Sequence, residues 1–255
     1  MKRLLKSLHR YLYAFFTALC FFCLYPLLWL FSRKESHYKY LNKVRKANAF
    51  IASVLSGIFY KIHYEEKIDW SRTYVVCANH ASNLDIFAMS VLMKNNFFFM
   101  GKQELLSSVF TRTYFESVDV PVNRESKMSA YKAYKKANER LKRGMSLIIF
   151  PEGKIGNEYP PVLHTFKNGT FKLAIENNIP ILPVSLQNNW ELFWDDGTKY
   201  GTRPGISHIY LHKPIGTEDL TLKDEENLKN NVFEIVLSKV NYQAYSQELN
   251  NSDED

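Results

Sequence analysis

Tyr74-Val75-Val76-Cys77-Ala78-Asn79-His80-Ala81-Ser82-Asn83-Leu84-Asp85 is the stretch that decides how this 255-residue chain is read. The apolar run from Tyr74 to Ala78 predicts a buried strand ending at His80. Ile86, Phe87, Met89, Val91 and Leu92 come next at mostly helical spacing, so His80 and Asp85 straddle a strand-to-helix turn with both side chains near one helix N-terminus. A carboxylate on one imidazole nitrogen fixes the tautomer and leaves the other nitrogen to take a proton from a hydroxyl. That chemistry needs no nucleophilic Ser or Cys. A single His and Asp five positions apart is a weak motif, and three segments nearer the C-terminus give it weight.

Phe150-Pro151-Glu152-Gly153 closes a second apolar strand, Ser146-Leu147-Ile148-Ile149, with a turn. Pro removes a donor and Gly permits a tight backbone, so this turn can aim a peptide N–H and the Glu152 carboxylate into a cleft. Between the two strands, Val120-Pro121-Val122-Asn123-Arg124 is a short β-rich stretch ending in a fixed positive charge. Beyond them, Ile179-Pro180-Ile181-Leu182-Pro183-Val184 is an apolar strand bracketed by prolines.

In this order the segments resemble the glycerolipid acyltransferase family. Its 1-acyl-sn-glycerol-3-phosphate (lysophosphatidate) acyltransferases carry an N-H-x-x-x-x-D block, an Arg-bearing block, an F-P-E-G block and a Pro-rich strand. Gly101-Lys102-Gln103-Glu104-Leu105 is similar to the family's G-K-x-E-L segment, and Phe166-Lys167-Asn168-Gly169 to its F-K-x-G segment. The resemblance covers roughly residues 70 to 215. It implies His80 as general base on the free hydroxyl of a lysolipid, Asp85 as its orienting partner, and an acyl thioester as donor. General-base help is worth about 10²- to 10⁴-fold. The rest of the acceleration falls to positioning and to an oxyanion site, for which N–H groups around Glu152-Gly153 or at the helix start after His80 are candidates. Lys102 and Arg124 are candidates for an anionic headgroup, and Glu152, Gly153 and Lys154 for the same substrate cleft.

One departure bears on the acceptor. Where many lysophosphatidate acyltransferases continue F-P-E-G with Thr-Arg-Ser, this chain reads Lys154-Ile155-Gly156, so the family's Arg is replaced by Ile155. Lys154 supplies a charge one position earlier. A lysolipid with another headgroup, such as an acylated amino acid, is therefore an alternative acceptor, and a peripheral protein that binds lipid without turnover is an alternative from another class.

The formal net charge is +7, and its location is informative. Up to Arg72 there are thirteen Lys or Arg against four acids, which suits an anionic lipid surface. Ser126 to Arg143 is a second basic segment, predicted as a helix packed through Tyr131, Tyr134, Ala137 and Leu141 and stopped by Gly144. Its basic face suits solvent, anionic lipid or an acidic acyl carrier protein. No nucleic-acid-binding module accompanies the charge.

From Tyr11 to Ser32 there are 22 uncharged residues, about 33 Å of helix, enough to span a bilayer. Pro26 interrupts the run, and a second uncharged run, 47–60, is too short to cross. Residues of the A-x-A kind are missing near Ser32, so the segment is expected to be retained. Two apolar helices with basic ends suit a hairpin dipping into the cytoplasmic face, the topology expected in preference to a single span. Cys20, Cys23 and Cys77 lie in apolar runs and are expected to be structural thiols, not metal ligands. No metal or prosthetic group is implied. The partners implied are membrane lipids, a lysolipid acceptor and an acyl-coenzyme A or acyl carrier protein thioester.

The expected fold is α/β, a mixed β-sheet flanked by helices with an N-terminal membrane-associated two-helix segment. Residues 1–62 would be the anchor, 63–246 the acyltransferase domain and 247–255 an acidic tail. Strands are expected at 97–100, 181–186 and 208–211, helices at 164–177 and from about Thr221, and a surface role for His164.

Overall fold

The computed structural model describes residues 2–123, 125–194, 201–240 and 242. Helix α1 (Lys2–Ser32) and helix α2 (Tyr38–Leu55), joined by a 3-10 turn, lead into strand β1 (Ile58–Tyr64). Strand β2 (Val75–Ala78), helix α3 (Leu84–Leu92), strand β3 (Phe97–Lys102), helix α4 (Val109–Phe115) and strand β4 (Val120–Val122) come next. Helix α5 (Lys127–Lys142), strand β5 (Ser146–Ile149), helix α6 (Gly169–Glu176), strand β6 (Ile181–Leu186), the single turn α7 (Asn189–Leu192), strand β7 (Gly205–Leu211) and helix α8 (Glu225–Leu237) complete the order.

The seven strands form one mixed sheet in the order β1-β7-β6-β2-β5-β3-β4. β6, β2, β5, β3 and β4 are parallel, β7 runs antiparallel to β6, and β1 is parallel to β7. β2 and β6 are buried at every position, as befits parallel strands covered on both faces. Val75, Cys77, Phe98, Leu147 and Ile181 pack into one core with α5, α6 and α8, while Val76, Ala78, Phe97, Phe99 and Ile148 pack with α3 on the other face. That alternation is the two-residue period of the strand turned into two layers.

The strands expected at 97–100, 181–186 and 208–211 are present, and α5 ends before Gly144, whose φ of +78° suits glycine after a helix. Thr221 and Asp224 form a capping box on the 3-10 turn that opens into α8. Elsewhere the chain departs from expectation for identifiable reasons. The helix expected over 164–177 is confined to Gly169–Glu176: residues 164–167 have no regular structure and are tied to the turn after β5, the His164 N–H donating to Glu152 and the Lys167 N–H to the Pro151 carbonyl. Pro26 does not interrupt α1, which runs through it. The run 47–60 is divided between the end of α2 and the start of β1. The boundary drawn at 62/63 falls inside β1, and α2 is bound into the sheet domain. Its Asn42 donates to the Phe97 carbonyl at 2.6 Å, and its Arg45 pairs with Asp119 at 2.7 Å. Arg124 and the acidic tail lie outside the described residues.

Candidate active site

β2, β5 and β3 all point their carboxyl ends at one crevice, the place where open parallel sheets present functional groups. Asn79 anchors the end of β2. Its side-chain amide donates to the Leu186 carbonyl at 2.9 Å and accepts from the Leu186 N–H at 2.7 Å, copying a strand partner. The chain then turns, and His80 meets Asp85 in the first turn of α3.

His80 Nδ1 and Asp85 Oδ2 are 3.0 Å apart. The same carboxylate oxygen accepts the N–H groups of Ala81 and Ser82, each at 2.9 Å. Asp85 is 1% exposed, and its other oxygen accepts from Asn189 Nδ2 at 2.8 Å. Asn189 is held in turn by the Ser207 hydroxyl, which donates to its Oδ1 at 2.5 Å. A carboxylate can only accept, so Nδ1 of His80 carries the hydrogen and Nε2 keeps its lone pair. The ring stacks on Phe150, centroids 3.9 Å apart and planes 14° apart, which fixes its remaining degree of freedom.

Glu152 braces this turn from behind. Its Oε1 accepts the His80 N–H at 2.7 Å and its Oε2 the His164 N–H at 2.9 Å, joining the β2 and β5 loops to the 160s segment. Burial pushes its carboxyl up to about 8, against the downward pull of those two N–H groups. Gly153, at φ +79°, turns the chain so that Gly153, Lys154 and Ile155 line the crevice while Glu152 stays beneath it.

The crevice opens into a cavity of about 430 Å³. His80, Lys102, Gly153 and Lys154 line it together, and Phe87, Phe99, Phe110 and Phe115 make its walls largely apolar. Of the residues singled out from the sequence, His80 and Asp85 form the pair, Lys102 and Lys154 are exposed cations at the same cavity, and Glu152 turns its carboxylate to backbone donors. His164 is drawn in through its backbone and its ring is partly buried. The first N–H groups around α3 are engaged: Ala81 and Ser82 with Asp85, Leu84 with Ser82 Oγ at 3.1 Å, Asp85 with the Ser82 carbonyl at 3.0 Å. The Gly153 N–H is also engaged, with the Phe150 carbonyl at 3.0 Å. Among the described residues no group of three or more His, Cys, Asp or Glu side chains is arranged to hold a metal ion.

A family model, Acyltransferase, matches residues 60–187, half of the chain and the part that carries β2 through β6. The chain belongs to the acyltransferase family. Among relatives of this acyltransferase, an uncharacterised acyltransferase of Schizosaccharomyces pombe is 30% identical over 185 residues, 72% of this chain and 66% of the relative. The 1-acyl-sn-glycerol-3-phosphate acyltransferase of Saccharomyces cerevisiae is 27% identical over 211 residues, 79% of this chain and 66% of the relative. The chain thus spans just under two thirds of the length of these relatives. The crystal structure of the 1-acyl-sn-glycerophosphate acyltransferase PlsC from Thermotoga maritima superposes with a TM-score of 0.73 at 25% identity, covering 92% of this chain and 94% of that one. The likeness in fold thus extends beyond the residues that the family model matches.

Sequence reasoning missed Asn189, which completes the Asp85 site from 104 residues away. Its only local signal is the Asn-Asn pair after an apolar strand, a common turn composition. It also missed Phe150 as the surface under the His80 ring, although the residue belongs to the F-P-E-G block.

Proposed function

We propose that this acyltransferase transfers a fatty acyl group from a coenzyme A or acyl carrier protein thioester to the free hydroxyl of lysophosphatidate, giving phosphatidate. The observation that carries the reading is the His80–Asp85 pair at 3.0 Å, with the ring stacked on Phe150 at the mouth of an apolar cavity. Nε2 of His80 takes the hydroxyl proton while Asp85 stabilises the imidazolium that forms. The alkoxide oxygen bonds to the thioester carbonyl carbon, the tetrahedral intermediate collapses, and the thiolate leaves with the proton from His80. The intermediate's oxyanion needs donors that are not already engaged. The N–H groups of Lys154 and Ile155 meet that requirement, since they border the cavity and make no hydrogen bond among the described residues. Lys102 and Lys154 supply positive charge for the phosphate.

A lysolipid with another headgroup is the second reading, and Ile155 favours it: an apolar side chain lines the cavity where the family motif offers an Arg. Acyl transfer from a labelled thioester, by wild type and His80→Ala, with lysophosphatidate and a neutral-headgroup lysolipid in parallel, separates the readings. Phosphatidate from wild type alone supports the first. Label only in the neutral lipid supports the second, and no transfer to either rejects both.

The enzyme is proposed to lie in one leaflet on the cytoplasmic face. α1 is apolar over Leu4–Ser32, yet it tracks the domain along its length instead of leaving it. His9 bonds Thr202 and the Ser56 carbonyl, each at 2.8 Å, Tyr13 packs on Phe193 at 4.8 Å, and Phe21 and Leu28 are buried. Leu8, Tyr11, Phe15 and Trp29 face away from the domain and are exposed. A helix held by one face and apolar on the other suits an in-plane position with its outer face in the acyl region.

A further inference from the structure

The wall of the cavity is not wholly apolar. Asn48, on α2, lines it at 6% exposure, and its side-chain amide has no hydrogen-bond partner among the described residues; Oδ1 is fully covered. Thr17, on α1, lines the same cavity, and its hydroxyl is likewise buried and unpartnered among those residues. The residue three positions before Asn48 on the same face of α2 is Arg45, also at the cavity wall. Arg45 makes a two-pronged pair with Asp119, 3.2 Å from Nη1 to Oδ1 and 2.7 Å from Nη2 to Oδ2. Asp119 also accepts the Phe99 N–H at 2.9 Å, so this ion pair has little left to offer a ligand. Asn48 and Thr17 have all of theirs.

Phe99, bonded to Asp119, and Lys102, at the exposed edge, are three residues apart on β3, roughly 10 Å along it. An acyl chain lying in this cavity would meet an amide and a hydroxyl as well as the aromatic walls. Buried polar side chains are nearly always hydrogen-bonded, and an unsubstituted hydrocarbon cannot satisfy these two. A hydroxyl can, because it donates to Asn48 Oδ1 or Thr17 Oγ1 and accepts from Asn48 Nδ2.

We propose that Asn48 and Thr17 form a hydroxyl subsite in the wall of the cavity, and that the acyl chain this enzyme accepts carries a hydroxyl group along its length. The acyl-transfer role of the chain rests on the function proposed above, whereas the subsite itself can be read by binding alone.

The test uses the full chain in a fixed concentration of nonionic detergent. Competitive binding is measured for an unsubstituted fatty acid and for positional hydroxy isomers of the same length, with wild type, Asn48→Leu and Thr17→Val. The ratio of hydroxylated to unsubstituted affinity is compared between proteins, which cancels partition into micelles. One isomer is expected to bind wild type about tenfold better than the unsubstituted acid, the worth of one well-made neutral hydrogen bond. Asn48→Leu is expected to bring that ratio close to one. Thr17→Val, which keeps the shape of the side chain, is expected to lower it in part, and this variant carries the test if Asn48→Leu does not fold. Equal binding of all isomers by wild type, or a preference that survives both substitutions, overturns the subsite and leaves those polar groups to solvent. Transfer from the matching thioesters is then measured separately. A binding preference without transfer from any thioester would leave the subsite standing and remove the acyltransferase function. Transfer without a preference would do the reverse.

Discussion

Replacing Glu152 with Gln tests whether the brace beneath His80 is a neutral or a charged group. The carboxyl is buried, and burial raises it from 4.5 to about 8 although two N–H groups point at it. In the unfolded chain it would lose its proton near 4.5, and in the folded chain it holds the proton to about pH 8. The folded state therefore binds more protons across that interval, so stability falls as pH rises. The advantage is fully present below pH 4.5 and is lost as pH climbs through 8. At about 1.4 kcal/mol per pH unit, it amounts to about 5 kcal/mol at most.

Gln has the shape of the neutral acid and does not titrate. The melting temperature of wild type should therefore decline relative to Glu152→Gln between about pH 5 and 8.5 and level off above it. Gln still presents one oxygen to the shorter bond, from the His80 N–H at 2.7 Å, while its amide group faces the His164 N–H. That mismatch costs about 1–3 kcal/mol at every pH, offsetting the curves without changing their slopes. The assay is thermal unfolding of both proteins in one detergent across that pH range. Parallel curves, or a wild type that gains stability relative to Gln as pH rises, would refute the argument. The second result would mean that the two N–H donors outweigh burial and that the brace is a carboxylate.

Asp85→Asn should keep the His80 tautomer, because the amide can turn its oxygen to His80 and Asn189 can turn to meet the other side; acyl transfer should fall by about 10²-fold with little change in melting temperature. Asp85→Ala should also destabilise, since His80 Nδ1 and the Ala81 and Ser82 N–H groups lose their acceptor at about 1–3 kcal/mol each. Arg45→Leu should cost about 3–5 kcal/mol by leaving Asp119 buried and unpaired, and adding Asp119→Leu should restore part of that stability in a denaturant titration. Single cysteines at Lys6 and Ser32, in a chain lacking its own three, should both react with an impermeant thiol reagent from the same side of sealed vesicles. Opposite sides would mean that α1 spans the bilayer.

How much of this could be read from the sequence depends on how far apart the partners lie along the chain. His80 and Asp85 were legible because one turn of backbone brings them together, and the apolar run before them named the strand that carries the turn. The Glu152 carboxylate was legible as a group at a strand end, but its direction was not. Whether it faces a ligand or two peptide N–H groups depends on where the 160s segment returns, and reading a helix from 164 concealed that return. Asn189 was beyond reach because only the sheet order, with β6 beside β2, brings it to Asp85. Arg45 shows the same limit in the opposite direction. It was counted among the basic residues of a membrane-facing end, yet its charge is neutralised by Asp119, 74 residues later, inside the domain. The exposed positive charge of that end is therefore carried by other residues, such as Arg33, Lys34, Lys39 and Lys43 around the turn between α1 and α2. The strength of membrane attachment should track those four side chains and not the total for the segment.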